Sequence, residues 1–221
     1  MTWWNGPMPT GKPCRNSTHE KYAPPSKGCA TCTRKNMIEK RAEYKRLVFN
    51  HYGTSCACCG LSVPELLTID HVDASTKVKN GRTGHKIYLD LVKSGYPEGY
   101  QSLCFSCNSG KHGHRGVCPH QGAPTVGNQR VEWSRQVKLE AFSRYGNGSC
   151  ACCGETNPYL LTLHHVNGDG AAHRTLLSGQ SASWIYGSLK TAGWPNNPPL
   201  SVACFTCNVG FDLPGGCPCG R

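Results

Sequence analysis

Cys56-Ala57-Cys58-Cys59-Gly60 and Cys150-Ala151-Cys152-Cys153-Gly154 are the same five residues met twice in a chain of 221. The match continues on both sides. Leu66-Leu67-Thr68-Ile69-Asp70-His71-Val72 returns as Leu160-Leu161-Thr162-Leu163-His164-His165-Val166, and Gly95-Tyr96-Pro97 as Gly193-Trp194-Pro195. Cys104-Phe105-Ser106-Cys107-Asn108 returns as Cys204-Phe205-Thr206-Cys207-Asn208. The tails agree too, Gly116-Val117-Cys118-Pro119 against Gly215-Gly216-Cys217-Pro218. A unit of about 90 residues is therefore present in tandem, and the Pro/Gly/Asn-rich stretch between the copies reads as a linker. This divides the chain into an N-terminal segment 1–33, repeat 1 at 34–120, a linker at 121–129 and repeat 2 at 130–221.

Each repeat carries two Cys-x2-Cys pairs. Two residues between thiolates let both face one ion, and four thiolates close a tetrahedral site. Cys56, Cys59, Cys104 and Cys107 are assigned to one zinc, and Cys150, Cys153, Cys204 and Cys207 to another. The N-terminal segment adds Cys14, His19, Cys29 and Cys32, a Cys3His knuckle that would raise the structural zinc count from two to three. Cys58, Cys152, Cys118, Cys217 and Cys219 are left over, as packed thiols or as an extra metal site.

With 16 Cys and 10 His, the composition lies far from ordinary usage, and the hydrophobic fraction of 38% is low for one large core. No apolar run approaches the roughly 18 residues that span a membrane, which excludes an integral membrane protein. Met1-Thr2-Trp3-Trp4-Asn5-Gly6-Pro7 has neither the basic end nor the apolar stretch of a secretion signal. The expectation is a cytoplasmic protein with reduced thiols. A formal charge of +11 points to nucleic acid as the partner.

The elements are expected to be short. Arg34 to Tyr52 reads as a basic helix stopped by Gly53, and Val131 to Tyr145 as its counterpart stopped by Gly146. Leu66 to Ile69 and Leu160 to Leu163 read as strands, and Ile87 to Lys93 and Trp184 to Lys190 as short helices. Arg34, Lys35, Lys40, Arg41, Lys45 and Arg46 are grouped on the first helix as a contact to the duplex backbone. Neutralising about five phosphates there gives a slope of about −4 to −5 in log K against log salt.

A closed zinc site has no open coordination position, so function must come from what the zinc holds in place. In repeat 1 it brings together Asp70, His71 and Asn108, a set that suits a magnesium ion and a water-activating base. These residues, with Cys56-x2-Cys59-Gly60, Gly95-Tyr96-Pro97 and Cys104-x2-Cys107-Asn108, resemble the HNH, or ββα-metal, nucleases, closest to the zinc-containing phage recombination endonuclease VII branch. The resemblance implies an α+β fold: two small zinc-stapled ββα-metal (HNH, His-Me finger) units in tandem, behind an N-terminal zinc knuckle and a basic helix. It also implies a metal-dependent endonuclease hydrolysing DNA phosphodiesters, of phage or mobile-element type. In that mechanism Asp70 and Asn108 hold Mg2+ or Mn2+, and His71 takes the proton from the attacking water.

Repeat 2 departs from this pattern, with His164 in place of Asp70. Many HNH nucleases carry His-His there, so His164, His165 and Asn208 form a second candidate site for softer ions. Charge favours repeat 1. Residues 1–129 hold 17 Lys and Arg against 8 Asp and Glu, and residues 130–221 hold 7 against 5. The tandem reads as a monomer acting as a pseudo-dimer, or as a homodimer, on duplex or branched DNA. The alternative is a zinc-stapled nucleic-acid-binding module, without nuclease activity, inside a larger assembly.

Overall fold

The computed structural model describes residues 29–73, 84–114, 116–122, 129–176 and 182–220. They fall into two compact units, one drawn from Met1–His51 and Asn80–Pro97, the other from Tyr52–Lys79 and Glu98–Arg221. No helix among the described residues is long and apolar enough to cross a membrane.

In the first unit, helix α1 (Ala30–Tyr52) begins four residues before the expected Arg34. The Thr33 N–H donates to the Cys29 carbonyl at 2.9 Å, so Cys32 already lies in the helix, inside the segment read as a zinc knuckle. Cys29 and Cys32 are half-buried, and their proposed co-ligands Cys14 and His19 lie outside the described residues. The helix ends in an aromatic cluster: Phe49 meets Tyr88 edge-on at 5.9 Å, and His51 stacks on Tyr96 at 4.5 Å. Tyr88 belongs to helix α2 (His85–Lys93), which buries Leu91. The chain leaves α2 through Gly95 and Tyr96, both left-handed, with Tyr96 N–H donating to the Leu91 carbonyl.

The second unit is a small mixed α+β arrangement with two short antiparallel sheets. Strand β1 (Leu67–His71) pairs with β2 (Tyr100–Cys104), Leu67 opposite Cys104 and His71 opposite Tyr100. Strand β3 (Leu161–His165) pairs with β4 (Leu200–Cys204) in the same register, Leu161 opposite Cys204 and His165 opposite Leu200. Pairing with Gln101 and Tyr100 carries β1 past Ile69, so Asp70 and His71 are strand residues.

Helices α3 (Phe105–Gly113) and α7 (Phe205–Gly210) follow β2 and β4 directly, and a cysteine caps each. The Cys104 and Cys204 sulfurs accept from the N–H of Cys107 and Cys207, at 3.4 and 3.3 Å. Each Cys-x2-Cys-Gly turn closes with glycine N–H donating to the first cysteine's carbonyl, Gly60 to Cys56 and Gly154 to Cys150. Both glycines stand at φ +76°, a conformation that a Cβ would strain. Helix α4 (Gln129–Gly146) supplies Val137, Ala141 and Phe142 to a core shared with β3, β4 and Tyr186 of helix α6 (Ala182–Thr191).

The two repeats meet through α3 and α7 in a reciprocal contact. Ser106 N–H donates to Thr206 Oγ1 at 2.9 Å, and Thr206 N–H donates to Ser106 Oγ at 2.9 Å. Residue-for-residue exchange of this kind is the signature of a two-fold interface, here written into one chain. Gly110 makes the approach possible, since a Cβ there would sit 2.4 Å from Leu160 Cδ2 of repeat 2.

Candidate active site

The two cysteine quartets assemble as the spacing requires. Ligand atoms of Cys56, Cys59, Cys104 and Cys107 all lie within 4.8 Å of one another, as do those of Cys150, Cys153, Cys204 and Cys207. Four sulfurs about 2.3 Å from one zinc are about 3.8 Å apart along the tetrahedron's edges. The Cys59–Cys104 and Cys153–Cys204 separations are 3.7 and 3.8 Å. The residues present thus fit structural zinc. Without an ion the thiols share protons unevenly. Donation from Cys104, then Cys107 and Cys59, pulls Cys56 down, and contact with Cys104 above all pushes Cys107 up. A divalent cation takes the place of those protons.

Beyond the zinc end of each sheet lie the residues that could carry chemistry, and the repeats differ there. Sequence reading gives Asp70 to a divalent ion, but in the fold Asp70 Oδ2 accepts from Lys111 Nζ at 2.9 Å. Both side chains are buried, and the Lys111 ammonium also donates to the His71 carbonyl and, at 2.8 Å, to the Val72 carbonyl. A cation of the chain's own therefore compensates the carboxylate. His71 packs against Tyr100, ring centroids 4.6 Å apart. Asn108 lines a separate cavity with His112, Lys138, Tyr159 and Phe205, in which burial pushes the Lys138 ammonium down to about 8. The structure thus places Asp70 with Lys111, and Asn108 in the lining of a cavity that Lys138 also lines.

At the position of Lys111, repeat 2 has Phe211, whose ring lies 4.5 Å from that of His164. The two changes are coupled. An acid with a base in repeat 1 becomes an imidazole with an aromatic ring in repeat 2, and the cation disappears. His164 Nδ1 is 2.9 Å from Asn208 Oδ1, so the strand residue and the helix asparagine meet. That spacing equals the edge of an octahedron with metal–ligand distances near 2.1 Å, about 3.0 Å. The donor set of one imidazole nitrogen and one amide oxygen suits Mn2+ and its neighbours better than Mg2+.

His165, next along β3, has Nε2 2.8 Å from Nδ1 of His173. His173 is carried by helix α5 (Gly170–Leu176), which the Gly168-Asp169-Gly170 loop feeds. Burial lowers the basicity of His165, His173 adds to the effect, and Asp169 opposes it. Gly170 lies against the other ring edge, where a Cβ would be 3.0 Å from His165 Nδ1. Buried Tyr186 holds the strand by accepting from Leu163 N–H at 3.3 Å. Around these residues opens a cavity of about 380 Å³, lined by His164, His165, His173, Arg174, Asn208 and Asp212.

Comparison with family models, with curated proteins and with solved structures finds no match to this chain. The site therefore stands on its own geometry. His173 and Lys111, which the fold sets against His165 and Asp70, are residues to which the sequence assigned no place in the site. The one signal available was the repeat alignment itself, which sets Lys111 against Phe211. On α1, Arg34, Lys35, Lys40, Arg41 and Arg46 are exposed and Lys45 is half-buried, its ammonium 5.4 Å from the Phe49 ring centre.

Proposed function

We propose that the chain is a metal-dependent DNA endonuclease of the ββα-metal type, in which repeat 2 cuts and repeat 1 holds the DNA. One observation carries the division of labour: Lys111 occupies the Asp70 carboxylate in repeat 1, whereas His164 and Asn208 in repeat 2 face each other beside an open cavity. His164 and Asn208 would hold a divalent ion, which when bound offsets charge at the scissile phosphate and the leaving oxygen. In the tautomer in which His165 Nε2–H donates to His173 Nδ1, the His165 Nδ1 lone pair would face Gly170, which has no Cβ to fill that side. Nδ1 would take a proton from water as the water oxygen bonds to phosphorus and the P–O3′ bond breaks, and the departing 3′ oxygen would take a proton from solvent, giving a 5′-phosphate and a 3′-hydroxyl. Arg174, on the cavity rim, is positioned to pair with a phosphate oxygen. The exposed cations of α1 supply contacts that position duplex without reading its sequence.

Incubation of the zinc-loaded chain with supercoiled plasmid and a four-way junction, with Mn2+ or Mg2+, tests this reading. Nicked or linear product that EDTA prevents supports it. Salt-dependent binding without cutting under either ion replaces it with a binding module, for which the Asp70–Lys111 pair is already the specific argument in repeat 1.

A further inference from the structure

Neither the zinc quartets nor the cavity uses Cys58, Cys118, His120, Cys152, Cys217 or Cys219. The fold nevertheless gathers all but Cys219 in two places. Cys58, Cys118 and His120 come together with Cys107, all four ligand atoms within 4.8 Å of one another, and Cys152 and Cys217 do the same with Cys207. Cys219 lies two residues beyond Cys217, outside that three-sulfur group. Cys107 and Cys207 thus each belong to two groups, the quartet already described and a second one.

We propose that each repeat holds a pair of zinc ions joined by a shared thiolate, Cys107 in repeat 1 and Cys207 in repeat 2. The first ion takes the quartet. The second takes Cys107, Cys58, Cys118 and His120 in repeat 1, and Cys207, Cys152 and Cys217 in repeat 2. Three separations carry the assignment. His120 Nδ1 lies 3.4 Å from the Cys107 sulfur, 3.6 Å from Cys118 and 3.9 Å from Cys58. A nitrogen and a sulfur on one tetrahedral zinc, at about 2.05 and 2.3 Å, are about 3.6 Å apart. The outer nitrogen is engaged as a zinc-bound imidazole requires, His120 Nε2 being 3.2 Å from Glu155 Oε2. That contact fixes Nδ1 as the ligand atom and orients the ring.

Packing alone explains neither the three near-equal sulfur–nitrogen distances nor the recurrence of a second cysteine group at matching repeat positions. A disulfide is excluded between Cys59 and Cys104, whose sulfurs are 3.7 Å apart against about 2.05 Å for a bond. Space has been left for the second group in repeat 2 as well. A Cβ on Gly210 would sit 2.7 Å from the Cys217 sulfur, so only glycine lets that sulfur reach Cys207. The physical gain is a tail pinned back across the helix that carries Cys107 or Cys207, in a protein whose core is small. This inference is independent of the nuclease reading, since none of the ligands lies in the cavity.

Native mass spectrometry of the zinc-loaded full chain tests it, in a Cys29→Ser/Cys32→Ser background that removes any N-terminal ion. Four zinc ions per chain are expected. Cys58→Ser/Cys118→Ser and Cys152→Ser/Cys217→Ser should each lose one ion, and His120→Ala should lose the same ion as the first pair. Two ions in the background protein overturn the proposal, and three overturn it for the repeat whose variants change nothing. Cadmium-113 NMR of the otherwise unsubstituted chain needs no cluster variant: two pairs of mutually coupled resonances report the bridging sulfurs, and four uncoupled resonances refute them.

Discussion

Replacing Lys111 by Met removes the cation that sits 2.9 Å from the buried Asp70 carboxylate. The Asp70 side chain is 2% exposed and that of Lys111 7%, so neither is within reach of bulk water. The Nζ group also serves the His71 and Val72 carbonyls, of which Val72 lies at the surface and can turn to water. Removing one partner of a buried pair costs about 3–5 kcal/mol, most of it the penalty of a buried unpaired charge. The folding equilibrium should fall by roughly a hundred- to several-thousand-fold at about 1.4 kcal/mol per decade. Removing the charge at both ends should be much milder, so Asp70→Asn/Lys111→Met is expected to recover at least about 1–2 kcal/mol of the single variant's loss. Guanidinium unfolding of the zinc-loaded chain, followed by circular dichroism and by tryptophan fluorescence, measures both, the agreement of the two probes licensing a two-state treatment. A Lys111→Met variant within about 1 kcal/mol of wild type, or a double variant no better than the single, refutes the buried pair.

Further outcomes follow from single contacts. Gly170→Ala should cut cleavage by about tenfold or more with little change in stability, because its Cβ would crowd His165 Nδ1 at 3.0 Å; unchanged cleavage counts against Nδ1 as the base. Thr206→Val should cost about 1–3 kcal/mol in chemical denaturation by orphaning the buried Ser106 N–H, and Ser106→Ala should do the same to Thr206; losses near zero argue against the reciprocal interface. Lys138 has its ammonium pushed down to about 8 by burial, so between pH 8 and its ordinary value near 10.5 the unfolded chain binds more protons than the folded one. Stability should therefore rise with pH across that window in wild type and stay flatter in Lys138→Met, as read from urea midpoints; parallel profiles contradict it.

The zinc quartets were legible in the sequence because Cys-x2-Cys is a local pattern and its repetition pairs each half with its partner. Strand register was legible only in outline. The apolar runs end at Ile69 and Leu163, while the ladder continues through the polar pairs that carry Asp70-His71 and His164-His165. Summed charge describes a face of the molecule and cannot show a single buried pair such as Lys111–Asp70, which only the fold brings together. His173 escaped for a different reason. Its partner His165 lies eight residues back across a loop, and no spacing rule links a strand histidine to the first turn of the next helix. The leftover cysteines read as unassigned because sharing of Cys107 and Cys207 between two groups is a three-dimensional fact without a linear signature.

The division between the repeats is tested most directly by cleavage of supercoiled plasmid in Mn2+ by His165→Ala and His71→Ala beside wild type. Loss of a positioned base costs about a hundredfold or more. His165→Ala should lose that much while still binding DNA, and His71→Ala should cut within several-fold of wild type. Cutting abolished by His71→Ala and left intact by His165→Ala would contradict the account and return the active centre to repeat 1.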